Sequence, residues 1–266
     1  MQTVFALPPV EHVRLAADLG CGSISTGLHA FPFNPEGYSQ VSLGDDPIAR
    51  REMIAVMRDL GVVIGLGEGC NIRPGMDMSV YAPDLDILCE LGVKLVNAVS
   101  LDPDLSRSFD QFARFAEMAE ARGMRSSVEL CPALTIPDLE TALQVVRHVG
   151  RPGFGLLIDT MHLCSSGSGA RELAALDPAM IFYVQICDAL LAPQGSDYSD
   201  EASNRLSPGE GELPLAALLA QIPRDVIISV EMPQRRRADA GVGPRERAAQ
   251  AIDATRRLLS LREGNA

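Results

Sequence analysis

A recurring pattern, in which a helix-like segment ends in glycine and a short apolar run follows, constrains the fold more than any other feature. The pattern occurs at Gly20, Gly61, Gly92, Gly123 and Gly150, at intervals of 41, 31, 31 and 27 residues. Glycine suits the left-handed position that follows a helix. About 30 residues is the length of one strand, one helix and their loops. The spacing therefore predicts a series of βα units.

Eight such units account for the chain of 266 residues. The apolar runs are nearly continuous, which is typical of parallel strands buried on both faces, whereas the helical segments alternate apolar and charged positions. The predicted strands are Gln2–Phe5, Ser23–Leu28, Val62–Leu66, Lys94–Val99, Ser126–Leu130, Gly155–Ile158, Ile181–Ile186 and Val226–Val230. The predicted helices are Pro9–Leu19, Pro47–Leu60, Tyr81–Leu91, Ser106–Arg122, Ile136–Val149, Ala170–Ala175, Leu213–Gln221 and Arg245–Leu261.

Eight alternating units without a linker predict an α/β fold, a single (β/α)8 TIM barrel that spans residues 1–266. A doubly wound open sheet is the alternative. The glycine-rich G-x-G-x-x-G motif that a dinucleotide site requires after the first strand is missing from the sequence.

The charge balance and the cysteines limit the partners and the compartment. The chain has 23 Lys and Arg against 35 Asp and Glu, a net charge of −12, which argues against binding to nucleic acid or anionic membrane. The first residues do not resemble a signal peptide, and no apolar run reaches the length of a membrane span. Six scattered cysteines without a C-x-x-C motif indicate free thiols. We therefore expect a cytoplasmic protein.

Four consecutive predicted strands end in an oxygen-bearing side chain, namely Glu129, Asp159, Gln185 and Glu231. In a TIM barrel the chemistry lies at the carboxyl ends of the strands. Carboxylates that face a barrel mouth are costly to bury unless a cation or a proton compensates them. Carboxylate and amide oxygens are ligands suited to Mg²⁺ or Mn²⁺, and Co²⁺ also accepts them. The pattern predicts a site for one divalent metal ion.

His162 follows Asp159 by three residues and lies just above the predicted ligands. A histidine there can act as an acid or base near the metal, and the alternatives are a hydrogen-bond partner of a metal ligand or a residue packed in the core.

The pattern of Glu129, Asp159 with His162, and Glu231 resembles that of the xylose isomerase-like TIM barrel superfamily. This superfamily includes sugar and sugar-phosphate isomerases and epimerases and several dehydratases. The resemblance covers essentially the whole chain and is most specific from Arg125 to Pro233. Gln185 stands where many members have a histidine. Gln185 with Asp188, and the stretch Arg205–Pro214, are similar to the 3-dehydroshikimate dehydratase branch.

The resemblance implies an isomerase or epimerase that abstracts a proton next to a carbonyl, with the metal stabilising the enediolate that develops. Glu129 and Glu231 would then act on opposite faces of the substrate. A dehydratase of the 3-dehydroshikimate type is the second possibility, with His162 as the base. A barrel that binds a small molecule without catalysis is the third. Relatives often form dimers or tetramers, so we also expect a homo-oligomer.

The expected substrate is a small polyhydroxylated carbonyl compound with an anionic end. Arginine binds carboxylate and phosphate through paired N–H groups, and loops after the last strands of TIM barrels often hold phosphate. Arg205 is therefore a predicted substrate contact, and the segment Arg235–Arg237 is a second candidate. Glu68, His29 and Asp188 are further predicted substrate contacts, because each follows an apolar strand.

Overall fold

Seven parallel strands, hydrogen-bonded in the order of the sequence, form one sheet in the computed structural model, which describes residues 2–191 and 197–263. Each strand pairs with the one before it, and the sheet curls into a nearly closed barrel with helices between the strands. The predicted TIM barrel is thereby confirmed. The strands are β1 Ser23–Thr26, β2 Val63–Ile72, β3 Leu95–Ser100, β4 Arg125–Glu129, β5 Phe154–Asp159, β6 Ile181–Ile186 and β7 Ile227–Val230.

The helices begin and end where local chemistry satisfies their terminal backbone groups. Asp46, Asp104 and Asp138 each accept backbone N–H groups of the first helical turn that follows them. Gly61, with φ of +67°, ends a helix in the left-handed conformation that glycine adopts most easily. The helices of the described residues are α1 Pro9–Asp18, α2 Pro47–Leu60, α3 Ala82–Glu90, α4 Leu105–Glu120, α5 Leu139–Val149, α6 Thr160–Ser165, α7 Ala170–Ala174, α8 Tyr198–Ala202, α9 Leu215–Leu219, α10 Arg235–Asp239 and α11 Pro244–Glu263.

The main apolar core joins the inner faces of the helices to the strands. Phe112 and Phe115 of α4 are fully buried there, together with Val96 of β3 and Val128 of β4. Burying one such side chain contributes about 1.5–3 kcal/mol. None of the helices in the described ranges is both long and apolar enough to cross a membrane.

The predicted first strand, Gln2–Phe5, is wrong, because this segment forms turns. The N–H of Phe5 donates to the carbonyl of Gln2, and Phe5 adopts a positive φ of 49°. The Phe5 ring packs against Phe31 and Phe33, with centroid distances of 6.0 and 4.8 Å. A local turn and aromatic packing therefore outweigh the strand propensity of this segment.

Thr3 binds the β7 side of the seam that the missing strand leaves between β1 and β7. Its hydroxyl donates to the carbonyl of Val230 and accepts the N–H of Met232, both at 3.0 Å. A cavity of about 240 Å³ lies at the same seam, between the edges of the two strands. One side chain thus supplies the contact to β7 that a strand would make along its length.

Two other differences affect the site. Strand β2 continues to Ile72, so Glu68 lies within the strand rather than after it. Helix α6 was not predicted. It begins directly after β5, because Asp159 accepts the backbone N–H of His162 at 2.9 Å and caps the helix.

We expect Thr3→Val to lower the free energy of unfolding by about 1–3 kcal/mol, because valine keeps the shape but leaves two backbone groups without their partner. Urea unfolding measures the change. Thr3→Ser keeps the hydroxyl and is the matched control. Equal stability of the valine variant and the wild type would show that the hydroxyl does not hold the seam.

Candidate active site

The four predicted metal ligands come together at the carboxyl end of the barrel. Glu129 ends β4 and Asp159 ends β5, while Gln185 lies one residue before the end of β6. Asp159 and Gln185 are paired residues in the ladder between β5 and β6. Glu231 follows β7 directly, and its N–H still donates to a carbonyl of β6. Strand register therefore sets the relative heights of these side chains.

His162 lies beside two of these carboxylates. Its Nε2 is 3.8 Å from Oε1 of Glu129, and its Nδ1 is 3.9 Å from Oδ1 of Asp159. One candidate ligand atom from each of the three residues lies within 4.8 Å of the other two. That spacing is compatible with a single cation between them.

The carboxylates of Glu129, Asp159 and Glu231 form a cluster, and Arg205 lies inside this carboxylate cluster rather than at its rim. Its Nη1 donates to Oδ2 of Asp159 at 2.5 Å and approaches Oε2 of Glu231 at 3.4 Å. Its Nη2 is 3.3 Å from Nε2 of His162. The side chain is only 3% exposed. The guanidinium that the sequence suggested as a substrate contact is therefore tied to two of the predicted metal ligands.

Burial and mutual repulsion shift the pKa values of the cluster. Burial raises the pKa of Glu129 well above its usual range, and the charge of Glu231 adds to the shift. Burial likewise raises the pKa of Glu231 to about 7, although Arg205 opposes the shift. Burial is the largest influence on the pKa of Asp159 and would raise it, but Arg205, His162 and the hydrogen bonds that both donate together lower it. Burial lowers the pKa of His162 to about 4. The one positive charge of Arg205 therefore does not compensate the negative charges of all three carboxylates.

Gln185 has an amide oxygen without a partner. Its Nε2 donates to Oε1 of Glu68 at 3.2 Å. Its Oε1 is buried and accepts no hydrogen bond from the described residues. Such a group costs about 1–3 kcal/mol unless something binds it. An unpartnered amide oxygen beside three carboxylates is a donor set that fits a hard divalent cation.

Two further residues, Asn97 and Tyr198, contact the site in the structure and are not among the residues predicted from the sequence. Asn97 donates through Nδ2 to Oε2 of Glu129 at 2.8 Å, and its Oδ1 accepts the hydroxyl of Ser127. A polar residue inside an apolar strand was the available signal. The hydroxyl of Tyr198 is hydrogen-bonded to Nδ1 of His162. Tyr198 lies in a polar segment without periodicity, so only the folded chain brings it to the site.

Asp188 supports the loop that follows β6. Its Oδ1 accepts the N–H groups of Ala189 and Leu213, and its Oδ2 accepts the N–H of Gly209, all within 3.0 Å. Gly211 passes so close that a Cβ there would lie 2.4 Å from Oδ1 of Asp188. This carboxylate organises the loop, and its predicted contact with the substrate stays a prediction.

His29 is an exposed residue that pairs with Asp84. Its ring is 67% exposed, and its Nε2 is 3.4 Å from Oδ2 of Asp84. Its contact with the substrate also stays a prediction.

The three arginines after β7 have other partners. Arg235 stacks on the ring of Phe33, with its guanidinium carbon 4.5 Å from the ring centroid. Arg236 pairs with Asp200 at 2.5 Å. Arg237 bonds to two glutamine side chains. Each of the three therefore makes its contacts outside the carboxylate cluster.

Comparison with known proteins agrees with this architecture. Residues 13–258 match the family described as xylose isomerase-like TIM barrel. A 3-dehydroshikimate dehydratase of Pseudomonas aeruginosa is 30% identical over 230 residues, which cover 80% of this chain and 35% of that protein. The inosose isomerase of Bacillus subtilis is 31% identical over 155 residues, which cover 53% of this chain and 55% of that protein. The chain thus spans about a third of the dehydratase and about half of the isomerase.

Among solved structures, that of the IolI protein with a bound zinc atom superposes with a TM-score of 0.80 at 21% identity. The match covers 97% of this chain and 95% of that one. At this identity the likeness concerns the fold.

We expect Asp188→Asn to loosen the loop after β6, because the amide replaces one accepting oxygen by an NH₂ group that faces a backbone donor. The loss of at least one hydrogen bond should cost about 1–3 kcal/mol in the free energy of unfolding. Hydrogen exchange at the amides of Gly209 and Leu213 should become faster. Asp86→Asn, at an exposed position of α3, is the control. Unchanged protection of both amides would contradict the anchoring role.

Proposed function

We propose that this chain, which belongs to the xylose isomerase-like TIM barrel family, is a divalent-metal-dependent isomerase or epimerase acting next to a carbonyl group. The observation that carries the proposal is the cluster of buried Asp159 and Glu231 with the partly buried Glu129, together with the unpartnered Oε1 of Gln185. These three carboxylates lie around the guanidinium of Arg205. When all are ionised, the cluster retains two negative charges, which one divalent cation would neutralise.

The residues that would hold the ion are Glu129, Asp159, Gln185 and Glu231. Their oxygens favour Mg²⁺, Mn²⁺ or Co²⁺, and the zinc in the similarly folded IolI protein supports a divalent ion in this architecture. A bound ion would act as a Lewis acid on the carbonyl oxygen of the substrate.

His162 and the two glutamates are the groups placed to move a proton. His162 is buried and neutral, so one of its ring nitrogens can accept a proton from carbon. Glu129 ends β4 and Glu231 directly follows β7, so the two carboxylates come from different strands of the barrel. In an epimerase, one group would take the proton and another would return it on the opposite face.

The substrate that suits this site is a small polyhydroxylated carbonyl compound, for which Glu68 offers a carboxylate to hydroxyl groups. For an anionic end, Arg205 offers a guanidinium in contact with Asp159, Glu231 and His162. The inosose isomerase relatives support this class, because an inosose is a cyclic polyhydroxylated ketone.

The second candidate is a dehydratase of the 3-dehydroshikimate type. It is supported by the 30% identity to the Pseudomonas aeruginosa dehydratase, which extends over 80% of this chain. In that reaction His162 would remove the proton next to the carbonyl, and the hydroxyl on the next carbon would leave as water.

Metal binding tests the site directly. We expect Mn²⁺ to bind the chelator-treated protein with one ion per chain in titration calorimetry. Glu129→Gln and Glu231→Gln should each weaken the affinity about tenfold or more, because each removes a charged donor. Glu140→Gln, at an exposed position of α5, is the control. Full affinity in both site variants would refute the ligand set, and no binding by the wild type would favour a non-catalytic barrel.

The reaction type can be tested in D₂O with an inosose and with 3-dehydroshikimate, each in the presence of Mn²⁺. An isomerase or epimerase should incorporate one deuterium next to the carbonyl of the inosose, visible by mass spectrometry. His162→Gln should abolish the incorporation. Strong absorbance of an aromatic product from 3-dehydroshikimate, without deuterium in the inosose, would instead establish the dehydratase.

A further inference from the structure

His162 is held from its backbone side. It lies in the first turn of α6, where its N–H donates to Oδ1 of Asp159 at 2.9 Å. The residue is buried, with 7% of its surface exposed. The backbone is therefore fixed, and the remaining freedom is the orientation of the ring and the choice of which nitrogen carries the proton.

The two ring nitrogens have different kinds of partner. Nε2 is 3.3 Å from Nη2 of Arg205 and 3.8 Å from Oε1 of Glu129. A guanidinium can only donate, so Nε2 accepts and carries no proton. The proton of the neutral ring is then on Nδ1, where the hydroxyl of Tyr198 is the hydrogen-bond partner. In this arrangement the oxygen of Tyr198 accepts the Nδ1 proton.

Tyr198 is itself fixed by several contacts. It begins α8, whose first turn is capped by the side chain of Asp197. Its ring lies 5.8 Å from the ring of His162, centroid to centroid. Its hydroxyl also interacts with the side chain of Cys131. Burial raises the pKa of Tyr198, so the hydroxyl stays protonated at neutral pH.

We propose that Tyr198 is a positioning residue that holds the proton of His162 on Nδ1 and directs the lone pair of Nε2 toward the carboxylate cluster. Without this acceptor, the buried N–H at Nδ1 would lose its hydrogen-bond partner. The ring could then rotate, or its proton could move from Nδ1 to Nε2. The role of Nε2 as a base rests on the proposed function, whereas the hydrogen bond to Tyr198 does not.

The tautomer can be observed without any substrate. In protein labelled with ¹⁵N-histidine and kept in Mg²⁺, long-range ¹H–¹⁵N spectra distinguish protonated from unprotonated ring nitrogens. The chain has only four histidines, so a His162→Gln spectrum assigns the resonance. We expect Nδ1 of His162 to be protonated, with its proton shifted downfield and slow to exchange. Tyr198→Phe should move this proton upfield and speed its exchange, whereas Tyr38→Phe should leave it unchanged.

Two results would overturn the proposal: protonation of Nε2 in the wild type, or an unchanged Nδ1 proton in Tyr198→Phe. On a substrate that the wild type turns over, Tyr198→Phe should lower kcat on the order of 10–100-fold with little change in KM. If Tyr198→Phe alters the Nδ1 proton in a protein inactive on both substrates, the positioning role is supported and the proposed function is overturned.

Discussion

The ion pair between Asp159 and Arg205 is the interaction on which the site depends. Each oxygen of Asp159 has a separate task, since Oδ1 caps α6 through the N–H of His162 and Oδ2 accepts Nη1 of Arg205. Both side chains are almost fully buried, so removing either would leave a charge without its counterpart. The pair therefore places His162 and neutralises part of the cluster at the same time.

The position of Arg205 depends in turn on the loop after β6. Asp188 and Leu206 exchange two backbone hydrogen bonds at 2.8 and 2.9 Å, and the N–H of Arg205 donates to the carbonyl of Pro233 at 2.9 Å. The carboxylate of Asp188 then accepts three more N–H groups of the surrounding segment. Gln185, a candidate ligand, lies on β6, and Asp188, which anchors the loop that carries Arg205, follows two residues after that strand ends.

The sequence predicts those parts of the fold and the site in which local pattern and tertiary environment agree. Seven strands were found because continuous apolar runs are buried on both faces, and the candidate ligands followed from the ends of these runs. The strand Gln2–Phe5 failed because aromatic packing of Phe5 outweighs strand propensity. Arg205 was recognised as important, but its pairing with Asp159 comes from a long loop. Tyr198 could not be found, because its neighbour in space is 36 residues away.

In the part of the chain that the structure describes, the barrel has no strand between β1 and β7, yet the site is ordered because Thr3 binds the backbone next to Glu231. Its hydroxyl contacts the carbonyl of Val230 and the N–H of Met232, the two residues on either side of Glu231. On the opposite side, the N–H of Glu231 donates to the carbonyl of Ile186 at 3.2 Å. The backbone around Glu231 is therefore held from both neighbours, although no strand of the described residues fills the seam. The hydroxyl of Thr3 thus fixes the end of β7, where the carboxylate of Glu231 leaves the sheet.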